Sequence, residues 1–163
     1  MKGIFKNFAR IAFAITIGAV ALNSCSKDDD DDKNKKGDNG ASKATSQEAF
    51  YNGYVNNKAT TILVDIRSAA DFKASHIKDA INIDCESDQN WYMNNKFPVY
   101  DSLKVMDPMH EKYIQLYGSN GMSPISSKVA STISGMGWGA NKVFMLTGKY
   151  EDFAKKYPTI IEK

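Results

Sequence analysis

The sequence predicts an α/β domain with a mostly parallel central sheet, and three features of the chain support this prediction. Apolar, β-branched segments alternate with amphipathic segments over about 120 residues. The strand segments are nearly continuous apolar runs, which is typical of strands that helices cover on both faces. Glycines follow two of these runs, at Gly118 and Gly148, where the chain turns into a helix. A sheet flanked by helices is therefore expected over residues 45–163.

The first half of this domain is predicted to contain two helices and two strands. Thr45 and Glu48 are spaced as a capping box, so a helix is expected from Thr45 to about Asn56. Its apolar side is expected to bury three aromatic side chains: Phe50, Tyr51 and Tyr54. The elements expected after it are a strand at 61–65, a short helix from Ser68 that carries Phe72, and a strand at 80–83.

The second half is predicted as strand, helix, strand and helix. A helix is expected from about Ser126 to Met136, and Gly137 is well placed to end it. Its apolar positions recur at i, i+4 and i+7: Val129, Ile133 and Met136. The other elements expected are strands at 113–117 and 142–146 and a last helix carrying Tyr150, Phe153 and Tyr157. Residues 86–111 lack clear periodicity, so the pattern assigns no element there.

The first 24 residues are predicted to be a signal peptide. Lys2, Lys6 and Arg10 form a positive region that precedes an uncharged apolar run at 11–22. Twelve residues rise only about 18 Å as a helix, whereas a hydrocarbon core is roughly 30 Å thick. The run is therefore too short for a transmembrane helix and favours an export signal.

The end of the apolar run indicates which kind of signal this is. Leu22, Asn23, Ser24 and Cys25 resemble a lipoprotein signal, in which a lipidated cysteine becomes the mature N-terminus. The resemblance implies acyl chains such as palmitate on Cys25 and an extracytoplasmic, membrane-anchored protein, with the outer membrane as the expected location. An ordinary secretory signal followed by an unrelated cysteine is the alternative.

Residues 25–44 are predicted to be a polar linker between the lipid and the domain. Five consecutive aspartates, Asp28–Asp32, repel one another and cannot pack, so this stretch is expected to extend. An acidic run just after the lipidated cysteine also resembles the surface-export signal of some Gram-negative lipoproteins. The alternatives are a simple solvated acidic tail and the remnant of an affinity tag.

Charge and composition exclude several classes of function. The whole chain carries +2 and its leader carries three positive charges and no acids, so the mature form carries 2 − 3 = −1. This balance does not favour nucleic-acid binding, and membrane contact is expected through the lipid alone. His76 and His110 are the only histidines, so no metal cluster is expected. The sequence also leads us to expect no cofactor. With Cys25 lipidated, Cys85 has no intramolecular disulfide partner.

An ordered set of residues links the domain to a known family. The residues that carry the resemblance are Asp65, Arg67, Asp71, Phe72, His76, Ile77, Ala80 and Asn82. Together with the strand, loop and helix order of the second half, they resemble rhodanese-like domains in kind and spacing. The resemblance covers nearly all of residues 45–163 and implies a three-layer domain, with the sheet between two layers of helices. Each matched residue also has a plain structural role, as His76 does if it only forms hydrogen bonds.

The loop after the strand at 113–117 departs from the family pattern. Family members that transfer sulfur hold it as a persulfide on a cysteine that opens a loop resembling Cys-x-x-Gly-x-Arg. The corresponding residues here are Gly118, Ser119, Asn120, Gly121, Met122 and Ser123. Gly118 replaces the cysteine and Ser123 replaces the arginine, so this loop has no nucleophile. Its backbone N–H groups remain able to bind a small anion or a sulfur compound, with Asp65 and Arg67 as supporting residues.

Three functions therefore remain as hypotheses for this sequence. The first is an accessory module without sulfurtransferase activity, in which the loop binds an anion or the domain binds a protein partner. The second is a sulfurtransferase that uses Cys85, which is expected at the same edge of the sheet as the loop. Asp84 and Glu86 flank this cysteine, which disfavours a reactive thiolate. The third is a structural surface lipoprotein without a ligand.

Overall fold

A parallel sheet forms the centre of the structure, a computed structural model that describes residues 43–91, 93–94 and 96–163. The strands in chain order are β1 (Lys43–Thr45), β2 (Thr61–Asp65), β3 (His76–Ile77), β4 (Ile81–Asn82), β5 (Tyr113–Tyr117), β6 (Val143–Leu146) and β7 (Ile161–Glu162). Within these described residues, five strands lie in the order β1-β6-β5-β2-β4 and all pair in parallel. Strands β3 and β7 form a separate antiparallel pair.

Helices cover both faces of the sheet. They are α1 (Gln47–Asn56), α2 (Ala69–Ala74), α3 (Pro98–Met106), α4 (Pro124–Ile133) and α5 (Tyr150–Lys156). Alternate strand residues point to opposite faces, so each strand contributes to two cores. One core packs Val64 and Leu116 against the apolar sides of α3 and α4. The other packs Leu63 and Tyr117 against α1 and α5. The three-layer α/β prediction is confirmed.

The predicted capping residue of the first helix is wrong by one position. Ser46, not Thr45, caps α1, because its hydroxyl accepts the N–H of Ala49 at 3.3 Å. Thr45 instead ends β1 and lies opposite Leu146 in the sheet. Its carbonyl accepts the N–H and the hydroxyl of Thr147, and these contacts hold Thr45 in the strand.

The helix after the loop is also displaced from its prediction. Helix α4 begins at Pro124 rather than Ser126, because Ser123 caps it and accepts the N–H of Ser126 at 3.1 Å. The α-helix ends at Ile133 and continues as a wider π turn over Ser134–Trp138. Gly137 adopts a φ of 127° inside that turn, a conformation that suits glycine. The predicted apolar positions Val129 and Ile133 are buried, whereas Met136 is only half-buried.

Some elements were not predicted at all. Helix α3 lies in the segment that lacked clear periodicity, although Pro98 stands at its first turn and Val99 and Leu103 are buried at i and i+4. Strands β1, β3 and β7 have two or three residues each, too few to show a pattern. Long-range pairing creates them, as where His76 lies opposite Glu162.

The export signal predicted at 1–24, with Cys25 and nearly all of the linker, lies outside the described residues. Among residues that the structure describes, no helix has the length and apolar character needed to cross a membrane.

The loop after β5 is held against the end of β6 at Gly121. Its N–H donates to the carbonyl of Gly148 at 2.8 Å. A Cβ added at Gly121 would overlap the backbone carbonyl of Leu146, which cannot rotate away as a side chain can. The absence of a side chain at Gly121 therefore lets the loop and the strand end approach each other.

We expect Gly121→Ala to lower the free energy of unfolding by about 1–3 kcal/mol, the usual range for a group forced into occupied space. Gly135→Ala is the matched control, because an added Cβ there meets nothing within 4 Å. Urea unfolding of the full chain, followed by the fluorescence of the buried Trp91 and Trp138, measures both variants. Equal stability of the two variants would contradict the close approach at Gly121.

Candidate functional site

The carboxyl ends of the parallel strands meet at one edge of the sheet, as the sequence predicts. Asp65 at the end of β2 lies between Asn82 of β4 and Tyr117 of β5 in the strand register. The loop at 118–123 begins directly after Tyr117, so it starts beside the segment that follows Asp65. This edge contains the predicted supporting residues and the predicted ligand-binding loop.

Asp65 and Arg67 form a buried ion pair at this edge. Asp65 is 0% exposed and Arg67 is 4% exposed. Arg67 Nη2 lies 2.6 Å from Asp65 Oδ2. Arg67 Nε donates to both carboxylate oxygens at 3.0 and 3.1 Å, and the Arg67 backbone N–H donates to Oδ1 at 2.9 Å. The carboxylate therefore accepts bonds from both the side chain and the backbone of Arg67.

Arg67 makes further contacts inside the protein. Its Nη2 donates to the carbonyl of Ser75 at 2.6 Å, and its guanidinium carbon lies 3.6 Å from the centre of the Tyr150 ring. Burial lowers the pKa of Arg67, but the hydrogen bonds and charge of Asp65 outweigh burial and hold the pKa above its ordinary value. The charge of Arg67 is thus matched by Asp65, which leaves little net positive charge for an anion at the loop.

Two other residues of the family pattern have structural roles. Asn82 Nδ2 donates to the backbone carbonyls of Asp65 and Arg67 at 3.1 and 2.9 Å, which joins β4 to the chain after β2. His76 Nδ1 lies 3.0 Å from the carbonyl of Phe72, and its Nε2 lies 3.4 Å from the Glu162 carboxylate. These contacts account for both residues without assigning them any chemistry.

Gly118 stands where the family pattern places a cysteine, and the space for a side chain there is occupied. A Cβ added at Gly118 would collide with Oε1 of Glu86 and would lie 2.8 Å from Ser126 Oγ. It would also lie 3.2 Å from Ile66 Cγ1. The position therefore lacks a nucleophile, and a side chain there would have to displace the Glu86 carboxylate.

The side chain that fills this space is the carboxylate of Glu86. Its Oε1 accepts the backbone N–H of Ser119 at 2.9 Å, and its Oε2 accepts the Ser119 hydroxyl at 2.6 Å. The backbone N–H groups of Cys85 and Glu86 both donate to the carbonyl of Ile66, at 3.0 and 3.2 Å, which fixes the start of the segment. A negative charge from the protein itself thus occupies the start of the loop.

Three further N–H groups of the loop also have acceptors inside the protein. Gly121 N–H donates to Gly148, and Ser123 N–H donates to the carbonyl of Asn120 at 3.0 Å. Met122 N–H lies 3.4 Å from Asn120 Oδ1. A ligand-binding role for the loop 118–123 remains a prediction, and an external anion at Ser119 would have to displace Glu86.

Sequence reasoning treated Glu86 only as a charge beside Cys85. Its contact with Ser119 joins residues 33 positions apart, and no local pattern signals that contact. The one available signal was the acidic residue itself, which lies in a segment expected to follow β4 at the same edge of the sheet.

Cys85 is buried in the core between the sheet and helices α3 and α4. It is 0% exposed, and it borders a small cavity of about 10 Å³ together with Trp91 and Val99. Burial, with the charges of Asp84 and Glu86 adding to it, raises the pKa of the Cys85 thiol to about 12. A neutral thiol without solvent contact does not suit the Cys85 sulfurtransferase hypothesis.

A metal centre is not supported by the part of the chain that the structure describes. No group of three or more histidine, cysteine, aspartate or glutamate side chains there could hold a metal ion.

Comparison with known families and structures agrees with this architecture. The model of the rhodanese-like domain family matches residues 46–156. The BH2092 protein of Bacillus halodurans is similar, with 23% identity, a TM-score of 0.52, and coverage of 71% of this chain and 73% of that one. The rhodanese-like domain of the Alr3790 protein from Anabaena is 14% identical, with a TM-score of 0.52 and coverage of 73% and 77%.

A third similar structure is Ygr203w of Saccharomyces cerevisiae, described as a homolog of single-domain rhodanese and of the Cdc25 phosphatase catalytic domain. It is 12% identical, with a TM-score of 0.50 and coverage of 73% of this chain and 86% of that one. At these identities the structural matches establish the fold alone. No curated protein matches the sequence significantly.

We expect the Cys85 thiol to react very slowly with a thiol reagent at pH 8. A pKa of about 12 rather than about 8.5 lowers the thiolate fraction at that pH by more than roughly a thousandfold, and burial blocks access as well. Labelling of folded and urea-unfolded chain, both carrying Cys25→Ser, measures the difference. Ser119→Cys added to the same chain is the control, because that position is exposed and should label quickly. Fast labelling of Cys85 in the folded chain would contradict its assignment as an inert core residue.

Proposed function

The chain belongs to the rhodanese-like domain family, and from this premise we propose that it is a lipid-anchored, extracytoplasmic member without sulfurtransferase activity. In this proposal the domain serves as an accessory module that binds an anion or a protein partner. The observation that carries the proposal is the Glu86 carboxylate, which occupies the nucleophile's space at Gly118 and accepts two hydrogen bonds from Ser119.

Sulfur transfer at this loop requires a thiolate, space around it and unpaired N–H groups that stabilise the persulfide. Gly118 provides no thiol, and Glu86 Oε1 occupies the position that a side chain would need. The Ser119 N–H of the loop already donates to that carboxylate. The loop as it stands therefore favours a function other than sulfur transfer.

Electrostatics adds a second argument. Thiosulfate and a persulfide are both anionic, and Glu86 places a negative charge where either would lie. Arg67 does not compensate, because Asp65 already neutralises it. Like charges repel at close range, so an anionic sulfur donor is disfavoured at the Ser119 end of the loop while Glu86 remains there.

Binding of an anion or a partner remains compatible with this geometry. The hydrogen bonds between Glu86 and Ser119 lie at the surface, so water can replace them when Glu86 swings out. An anion would then take over the same N–H and hydroxyl of Ser119. Met122, 60% exposed in the same loop, offers apolar surface to a protein partner beside the polar group.

Lipid anchoring is proposed from the sequence, since Cys25 lies outside the described residues. The positive leader, the short apolar run and the cysteine at its end support lipidation at Cys25. The acidic segment Asp28–Asp32 would then separate the domain from the membrane. Outer-membrane and cell-surface locations are proposals on the same grounds.

Thiosulfate:cyanide sulfurtransferase activity of the full chain tests the proposed function. We expect the wild type and Cys85→Ser to show only background activity. Gly118→Cys should gain activity, and Glu86→Ala combined with Gly118→Cys should gain at least roughly fivefold more. Two like unit charges about 4 Å apart repel by about 1 kcal/mol even in water. Glu86→Ala removes this repulsion between the carboxylate and the persulfide, and it also removes the collision of Glu86 Oε1 with a side chain at position 118.

Glu86→Ala alone is the matched control, because it opens the loop without supplying a thiol and should stay at background. Thiosulfate should raise the melting temperature of this variant more than that of the wild type, since binding to the native state stabilises it. Wild-type activity that Cys85→Ser abolishes would instead make the protein an enzyme with a relocated cysteine. Equal thiosulfate protection of both chains would contradict Glu86 as the occupant of the loop.

We expect Cys25→Ser to abolish membrane attachment. The wild type should label with palmitate and enter the detergent phase of a Triton X-114 partition, and the variant should remain in the aqueous phase. Cys85→Ser is the control, because it should leave both results unchanged. A mature protein that begins at another residue and keeps an unmodified Cys25 would point to the ordinary secretory signal.

A further inference from the structure

Exposed apolar side chains concentrate at the amino end of the central sheet. Five of the seven large apolar side chains that are exposed in the described part of the chain lie there and define an amino-end surface: Val55, Val105, Met106, Met109 and Tyr113. Val105 is 83% exposed and Met109 is 75% exposed. Single exposed residues of this kind are normal on a protein, whereas a group of them at one end indicates a contact surface.

The path of the chain brings these residues to one end. Helix α1 ends shortly before β2, and helix α3 ends just before the turn at 107–112 that leads into β5. The Asp107 carboxylate accepts the backbone N–H groups of Glu111 and Lys112 at 3.1 and 2.9 Å, which fixes this turn. Met109 is therefore presented outward by a turn of defined conformation.

The linker joins the domain at the same end. Lys43 begins β1, and β1 runs parallel to β6, so the chain enters the sheet at its amino end. Lys43 Nζ lies 6.0 Å from the ring centre of Phe144, which in turn lies 6.0 Å from the ring centre of Tyr113. Residues 26–42 connect this entry point to Cys25, where the lipid is proposed.

The length of the linker keeps this end of the domain close to the lipid. A flexible chain as long as residues 26–42 has a root-mean-square end-to-end distance of roughly 20–25 Å. A small domain is about 30 Å across, so the linker separates the domain from the bilayer by less than the width of the domain. Contact with the bilayer is then intramolecular, and a weak affinity is enough to maintain it.

Lysines outnumber acidic residues among the described residues at this end. The lysines near the amino-end surface are Lys43, Lys104, Lys112 and Lys142. Glu111 is an exposed acid there, whereas the Asp107 carboxylate is buried and hydrogen-bonded. Lys58 and Asp79 form a pair at 3.1 Å and neutralise each other. Apolar side chains with lysines around them suit the interface of an anionic bilayer, which attracts each lysine near its surface.

We propose that the amino-end surface docks on the bilayer that holds the lipid of Cys25. Val105 and Met109 enter the headgroup region, and Lys104 meets the lipid phosphates with its charged end. The inference rests on the lipid anchoring in the proposed function and adds an orientation to it. The loop at 118–123 follows the carboxyl end of β5, so it faces away from the bilayer and stays open to a ligand or partner.

A fluorescent label on Met109→Cys tests this contact. The lipid blocks the Cys25 thiol, and Cys85→Ser leaves position 109 as the labelling site. The full lipidated chain is reconstituted in vesicles of phosphatidylethanolamine and phosphatidylglycerol that carry brominated acyl chains. We expect the bromine atoms to quench the label at position 109. The same label on Met122→Cys, which changes an exposed methionine of the loop, is the control and should keep its full intensity.

Two matched pairs of variants separate the amino-end surface from the rest of the domain. Val105→Asp places a charge among the apolar residues and should abolish quenching at position 109, whereas Met93→Asp, at a residue that is 79% exposed elsewhere, should leave it unchanged. Lys104→Gln should lower the ratio of docked to free domain by roughly fivefold, the usual effect of one lysine at an anionic surface. Lys149→Gln changes an exposed lysine at the carboxyl end and should have no effect.

Flotation of the vesicles distinguishes a failure of this inference from a failure of the anchoring. A chain that floats but is not quenched at position 109, or is quenched equally at positions 109 and 122, would overturn the docking surface and leave the lipid anchor intact. A chain that does not float would overturn the lipid anchor, and the docking surface with it. An unquenched chain that also dimerises in detergent micelles would assign the surface to a second copy instead.

Discussion

The buried ion pair of Asp65 and Arg67 is the interaction on which the geometry of the strand edge depends. A buried pair is strongly disrupted when one partner is lost, by about 3–5 kcal/mol, because the other charge is left without compensation. The pair fixes the backbone just after β2. From that backbone, Arg67 reaches Ser75 and Tyr150, and the carbonyl of Ile66 holds the N–H groups of Cys85 and Glu86. The Ile66 carbonyl therefore holds the backbone of Glu86 where its carboxylate reaches Ser119 in the loop.

The loop after β5 has the strand, loop and helix order of the family and an acceptor for one of its donors from within the protein. The strand, the turn and the following helix are all present, and Gly121 keeps its close approach to β6. Gly118 has no side chain, and an anionic group from another segment, the Glu86 carboxylate, occupies the space beside it. A carboxylate suits a backbone N–H for the same reason that a bound anion does, because both offer a charged acceptor. The protein thus supplies its own acceptor for the Ser119 N–H.

The two ends of the sheet differ in character. The carboxyl end has charged groups that pair with one another, first Asp65 with Arg67 and then Glu86 with the polar groups of Ser119. The amino end has uncharged residues around a cleft of about 420 Å³ beside helix α1, and the buried Oε1 of Gln115 has no partner among the described residues.

The sequence by itself determined the elements that local patterns specify. The apolar run at 61–65 and the run before Gly118 became buried parallel strands, because continuous apolar residues suit strands covered on both faces. It also determined that position 118 has no nucleophile, which is a matter of residue identity. Tertiary structure alone decided that Glu86 fills that position, that Thr45 pairs with Leu146 instead of capping a helix, and that Gln115 lacks a second partner. Those outcomes depend on contacts between residues 33 to 101 positions apart, which burial and strand pairing create and no local pattern encodes.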